Sequence, residues 1–166
     1  MKSYTIHIEG PQNTQKLAFQ LSAFLKKGDI LGLRGNLGSG KTTFVQGLAQ
    51  GLKILESHMV SSPTFTFINE YPCCGDTLLF HMDFYRLSHS TEAQTLGLDQ
   101  YFQGQGICAI EWFEKAAELL PKDFLEIEFQ AISEKARNIH MIAHGLDSQK
   151  ILSNFLSSFS HNCRSL

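Results

Sequence analysis

A chain of 166 residues with 43% hydrophobic, 18% charged and 11% aromatic content has the make-up of one compact domain, which excludes a disordered or fibrous protein. Lys plus Arg is 14 and Asp plus Glu is 16, so the net charge is -2 with a pI near 6.4 and no basic cluster, which argues against a free-standing DNA or RNA binder. The cysteines Cys73, Cys74, Cys108 and Cys163 lack the spacing of a zinc knuckle or redox motif, and no apolar run approaches the roughly 20 residues of a membrane span, so free thiols in a cytoplasmic protein are expected.

Residues 1–10 alternate apolar and polar through Tyr4, Ile6 and Ile8 and predict a strand rather than a signal peptide. Leu17, Ala18, Leu21, Phe24 and Leu25 recur at helical spacing between a cap at Asn13 or Thr14 and Gly28. A short apolar strand at 29–34 runs through a glycine-rich turn at 35–40 into a second helix, whose apolar face is Phe44, Val45, Leu48, Ala49 and Leu52. Strands follow at 64–71 and 77–83 around a Cys-Cys-Gly turn, then a short helix near 91–102 and a strand at 106–111. A helix around 114–120, strands near 124–130 and 137–143, and a helix from about 148 to 159 complete the chain. No linker, repeat or low-complexity tract interrupts it, so residues 1–166 read as a single α/β domain.

The turn reads Gly35, Asn36, Leu37, Gly38, Ser39, Gly40, Lys41, Thr42, the Walker A pattern, with a strand before it and an amphipathic helix after it. In that setting successive backbone N–H groups and the helix N-terminus converge where phosphate oxygens would lie. Lys41 would place its ammonium on the β- and γ-phosphates and Thr42 its hydroxyl on Mg2+. The alternative is a tight glycine turn whose lysine faces solvent. The fold this predicts is a P-loop NTPase domain, a central mostly parallel sheet flanked by helices, with an antiparallel hairpin portion.

A P-loop site needs a second partner for magnesium, usually an acid at the end of a neighbouring apolar strand. Leu78, Leu79, Phe80, His81 and Met82 lead into Asp83, and Ile107, Cys108, Ala109 and Ile110 lead into Glu111. Either carboxylate could hold the metal, since ligands sit outside the carboxyl ends of parallel strands; either could instead pair with Arg86 or cap a helix.

With these residues in place, the chain resembles the TsaE (YjeE) family, the small ATPases of bacterial tRNA threonylcarbamoyladenosine synthesis. Gly35 to Thr43 is similar to that family's Walker A, and Ser62-Pro63-Thr64-Phe65 to its switch-like segment. His81-Met82-Asp83-Phe84-Tyr85-Arg86-Leu87 resembles the family's His-x-Asp-hydrophobic-Tyr-Arg-Leu run, followed by Leu96-Gly97-Leu98, Tyr101 and Glu111-Trp112. The resemblance implies a nucleotide site for ATP and Mg2+ that includes Gly35, Asn36, Leu37, Gly38, Ser39, Gly40, Lys41, Thr42 and Thr43. It makes Thr42 and Glu111 magnesium ligands, Lys41 the phosphate clamp and Asp83 a carboxylate needed for hydrolysis, and it places Thr14 and Ala136-Arg137 near the adenine. It further implies the partner proteins TsaD and TsaB, which carry the transfer chemistry, with tRNA reached through that complex. Two positions depart from the pattern: Asn36 stands where the family usually has Asp or Glu, and Phe113 where Pro often follows the Glu-Trp pair.

Ser62 and Thr64 fit a loop that orders on the γ-phosphate, or a Pro turn before a strand. Arg86 fits a cis arginine finger, an ion pair with Asp83 or a partner contact. Trp112, the only tryptophan, fits a cover over the nucleotide or a partner groove, or core packing. His140 and His144 could share a strand face but lack the further ligands of a metal site. Three functions compete: an ATPase that drives a partner complex, a small kinase, and a nucleotide-gated binding module. With four arginines, Arg34, Arg86, Arg137 and Arg164, scattered along the chain, a kinase lid is poorly supplied. Slow turnover by the chain alone is expected, since no general base is evident.

Overall fold

The computed structural model describes residues 2–54 and 60–162. In chain order the elements are β1 (Lys2–Glu9), α1 (Gly10–Ser22), β2 (Ile30–Gly35), α2 (Lys41–Gly51), β3 (Ile68–Pro72), β4 (Leu78–Asp83), α3 (Ser90–Gln94), α4 (Leu98–Phe102) and β5 (Gly106–Glu111). A 3-10 segment (Phe113–Leu119), β6 (Leu125–Ala131), β7 (Ala136–Ala143) and α5 (Leu146–Asn162) follow. The strands form one sheet in the order β1-β7-β6-β2-β5-β4-β3. Its centre, β6-β2-β5-β4, is parallel, and both edges are antiparallel: β3 on β4 at one side, β7 on β6 and then β1 on β7 at the other.

Helices cover both faces, which is why β2 and β5 are apolar almost throughout rather than alternating. On one face Leu17, Ala18 and Leu21 of α1, Phe44, Val45 and Leu48 of α2, and Leu152 and Phe155 of α5 pack on Leu31, Leu33, Ile107, Ala109 and Ile127. On the other, Phe80, Met82, Cys108 and Ile110 meet Leu87, Ala93, Leu98, Phe113 and Ala116. The first layer brings α1 and α2 so close that a Cβ on Gly47 would fall on the Gln15 backbone.

Several boundaries differ from those the sequence predicts. The first helix starts at Gly10 rather than at a cap on Asn13 or Thr14, because Pro11 presets φ for the first turn; Asn13 donates to the Glu9 carbonyl at 2.8 Å instead. It stops at Ser22, leaving Phe24 and Leu25 beyond it yet packed on the core. The strand predicted from residue 64 begins at Ile68, since Phe67 takes φ 64° and its N–H bonds back to the Pro63 carbonyl at 2.7 Å, curling residues 63–67 into a turn. The single helix predicted near 91–102 is split into α3 and α4 at Gly97. The helix expected at 114–120 is a 3-10 segment broken at Ala116. The last helix starts at Leu146, where the Asp123 carboxylate accepts the Asp147 and Ser148 N–H groups at 2.8 and 3.0 Å and so supplies a cap from 24 and 25 residues away.

Cys73 and Cys108 are buried and Cys74 is exposed, all three free; burial pushes the Cys108 thiol up to about 12. Cys163 and Arg164 lie outside the described residues. His140 bonds Thr5 and Gln130 while His144 bonds Glu126 and stacks on Phe124, so the two do not converge. No helix among the described residues is long and apolar enough to cross a membrane.

Gly47→Ala is expected to destabilise the fold by about 2 kcal/mol in chemical denaturation, although Ala for Gly in an unobstructed helix stabilises it by roughly 1 kcal/mol. A stability gain would show that α1 and α2 are not in this contact.

Candidate active site

Loop 35–40 leaves β2 at the carboxyl edge of the parallel strands and enters α2 at Lys41. Gly40 holds φ 110° against the Arg137 guanidinium, which leaves no room for a Cβ; Arg137 Nη1 donates to the Ser39 carbonyl at 3.0 Å and so fastens the loop to β7. Lys41 is 4% exposed. Its ammonium donates to the carbonyls of Gly35 at 2.7 Å and Asn36 at 3.0 Å and lies 4.0 Å from the Trp112 ring centroid. Burial pulls the Lys41 pKa below the ordinary lysine range, opposed by the carboxylates of Glu111, Glu114 and Asp83.

The parallel register of β4 and β5 sets Asp83 directly opposite Glu111, each 3% exposed. The two carboxylates nevertheless have different neighbours. Glu111 Oε1 accepts the Thr42 hydroxyl at 2.8 Å and lies 2.9 Å from His81 Nε2, so it is tied to the Walker A threonine. Asp83 Oδ1 accepts the Tyr85 N–H at 2.8 Å, while Oδ2 accepts the Thr64 hydroxyl at 2.9 Å and the Ser62 hydroxyl. The turn at 63–67, absent from the predicted strand, is what folds those two hydroxyls onto Asp83.

A cleft of about 270 Å3 is lined by Leu37, Gly38, Ser39, Gly40, Lys41, Thr42 and Thr43 on one side and by Ser62, Thr64, Asp83, Tyr85, Glu111 and Trp112 on the other. Gly35 and Asn36 are not among the lining residues; their carbonyls hold Lys41. Trp112, at φ 58°, lies against Lys41 and 5.2 Å from the Tyr85 ring; it both lines the cleft and packs against the core layer that holds Ile110 and Phe113. Three further expected site residues also stand apart from the lining. Thr14 is fully buried in α1 with its hydroxyl directed at the Gly10 carbonyl, 3.4 Å away; Arg137 lies behind the loop; exposed Arg86 stacks 4.9 Å over the Phe65 ring while Asp83 is taken up by Ser62, Thr64 and Tyr85. Sequence reasoning passed over His81 and Tyr85 as site residues. For His81 a signal existed: a polar side chain in an apolar strand, two residues before Asp83 and so on the same face.

The donors suit a hard cation. The Thr42 hydroxyl and Glu111 carboxylate are oxygen ligands, and among the described residues no three His, Cys, Asp or Glu side chains form a metal cage, so an ion here would draw its remaining ligands from water and phosphate oxygens, as Mg2+ does. The Ser39 hydroxyl, buried in the loop, has no hydrogen-bond partner among the described residues.

A Walker A loop between strand and helix, two acidic strand ends beside it and a parallel-centred sheet covered on both faces define a P-loop α/β domain. The family model "Threonylcarbamoyl adenosine biosynthesis protein TsaE" matches residues 8–139, and the chain belongs to the TsaE family. It is 43% identical over 145 residues to the tRNA threonylcarbamoyladenosine biosynthesis protein TsaE of Bacillus subtilis, covering 87% of this chain and 89% of that one. To the protein of the same name from Haemophilus influenzae it is 36% identical over 135 residues, 81% of this chain and 83% of the other. The crystal structure of Bacillus subtilis YdiB superposes with a TM-score of 0.80 at 37% identity, covering 95% of this chain and 96% of that one.

Because Asp83 is buried and its hydroxyl partners come from residues 62–64, Thr64→Val is expected to cost about 1.5–3 kcal/mol of stability. The loss should shrink by at least half in an Asp83→Asn background, as a double-mutant cycle by urea denaturation would measure; full additivity would deny the contact.

Proposed function

We propose that this chain is the ATP-binding and ATP-hydrolysing component of tRNA N6-threonylcarbamoyladenosine modification, acting with TsaD and TsaB so that threonylcarbamoyl transfer to the adenosine next to the anticodon runs through multiple turnovers. Membership of the TsaE family supports the pathway. The observation that carries the chemistry is the 2.8 Å hydrogen bond from Thr42 to Glu111 above the Walker A loop, which joins the loop's hydroxyl ligand to an acid at the neighbouring strand end.

The loop amides and the N-terminus of α2 hold the phosphates, and Lys41 exchanges the Gly35 and Asn36 carbonyls for phosphate oxygens. Thr42 and Glu111, the latter directly or through water, would hold Mg2+, which when bound would supply charge neutralisation at the transferring phosphoryl group. Asp83, fixed by Thr64, Ser62 and Tyr85, connects the hydrolytic centre to the segment most able to respond to the γ-phosphate. Asn36 carries no charge to activate water, and Arg86 stacks on Phe65 rather than entering the cleft, which supports slow turnover by the chain alone and stimulation by its partners. Substrate tRNA is reached through the partner complex, in the cytoplasm.

Lys41→Ala is expected to weaken ADP binding by about 10- to 100-fold in calorimetry, the value of charge-assisted hydrogen bonds to phosphate. Glu111→Ala should keep Mg2+-free ADP affinity within about threefold and lower Mg2+-dependent ATP hydrolysis on the order of 100-fold. The deciding assay follows ATP hydrolysis by the chain alone and with a matching TsaD–TsaB complex, with threonylcarbamoyl transfer to tRNA measured in parallel. Stimulated hydrolysis with repeated rounds of modification is the expected result. Phosphate passing to a small acceptor without stimulation would overturn the assignment in favour of a kinase.

A further inference from the structure

Of the two side chains that reach Glu111 Oε1, Thr42 belongs to the Walker A loop and His81 to neither acidic strand end. His81 is fully buried, on the face of β4 that also carries Asp83 and opposite Ala109, whose small side chain precedes Glu111 by two residues on β5. Its Nε2 is 2.9 Å from Glu111 Oε1, and its Nδ1 is buried with no hydrogen-bond partner among the described residues. A carboxylate can only accept, so Nε2 carries the proton and donates.

We propose that His81 is a positioning residue of the magnesium site: its imidazole Nε2 pins the Glu111 carboxylate so that Oε1 accepts the Thr42 hydrogen bond and a Thr42 lone pair is presented to the ion. The inference rests on the ATPase assignment and deepens it. A threonine hydroxyl can ligate a cation only through a lone pair, and its hydrogen must then have an acceptor on the other side. Glu111 Oε1 is that acceptor, and a carboxylate on a flexible side chain holds one oxygen there only if a second contact stops it from rotating away. His81 is that contact, and since its hydrogen bond goes to Glu111 and it is not among the residues lining the cleft, it acts through Glu111.

The test compares His81→Gln with His81→Asn in the full chain. The Gln amide nitrogen falls near the position of the imidazole Nε2, whereas the shorter Asn amide falls near Nδ1 and cannot reach Glu111, so two polar variants of similar burden to the core differ in the one contact at issue. The readouts are ADP affinity in EDTA, the Mg2+ concentration for half-maximal ATP hydrolysis, and the imidazole 15N shifts of the wild-type protein. Both variants should keep EDTA affinity within about threefold of wild type. His81→Asn should need about 10- to 100-fold more Mg2+, and His81→Gln should return within about threefold, the range typical of groups that orient a metal's ligand. The 15N shifts should place the proton on Nε2. Equal magnesium requirements for the two variants, loss of EDTA affinity in step with them, or a proton on Nδ1 would overturn the proposal. A wild-type chain with no magnesium response would overturn the ATPase assignment and this inference with it, whereas a responsive wild type and an unaffected His81→Asn variant would overturn the positioning role alone.

Discussion

The Glu111 carboxylate is the constraint around which the site is built. It is 3% exposed at the end of a strand buried on both faces, and a charge in that position is tolerated only where donors replace the water it has lost. Thr42 and His81 are those donors, and both reach the same oxygen. Thr42 is the second residue of α2 and His81 sits mid-strand on β4, so one carboxylate links the start of a helix, the end of one strand and the middle of another. Moving any of the three relative to the others would strand a buried polar group, which ties these three elements together at this end of the sheet.

The sheet supplies the rest by register. β2, β5 and β4 run parallel, so their carboxyl ends lie side by side and the loop after β2, Glu111 and Asp83 share one edge. Side chains alternate along a strand, so Leu79, His81 and Asp83 share one face of β4 while Phe80 and Met82 fill the core on the other. The same alternation on β5 places Ala109 and Glu111 on the α2 side and sends Cys108 and Ile110 to the opposite layer. Polar chemistry and core packing therefore use alternate residues of the same short strands. A one-residue slip of β4 would carry His81 and Asp83 into an apolar layer, so the hydrophobic pattern itself guards the register of the site.

Much of this was legible in the chain. The Walker A spacing, the apolar strands leading into Asp83 and Glu111, and the layered alternation of strands and helices rest on local patterns with periods of two and 3.6 residues. What was not legible depended on contacts distant in sequence. The start of α5 is set by Asp123 and the turn at 63–67 by hydroxyl groups that find Asp83 some 20 residues later, while the choice of Glu111 over Asp83 beside Thr42, which only the family resemblance singled out, depends on the approach of α2 to β5. Thr14 looked like a helix cap near a ligand but is buried because Pro11 starts α1 a turn earlier and rotates that position towards the core. Arg86 stacks on Phe65 because the same turn presents that ring to it, which composition alone cannot disclose.

The separate tethering of the two carboxylates has a mechanical consequence. Glu111 is bound to groups on the rigid side of the cleft, whereas Asp83 accepts two hydroxyls from a segment that forms neither helix nor strand. Rearranging residues 62–64 would release Asp83 without breaking the bonds from Thr42 or His81 to Glu111, because no side chain is shared between the two sets of contacts. Lys41 belongs to the rigid side as well, held by loop carbonyls and by the face of Trp112. The cleft thus has one acidic strand end bonded to α2 and β4 and the other to a segment outside the regular elements. That division would suit the proposed ATPase, in which a constant phosphate cradle sits beside a segment that answers the terminal phosphate.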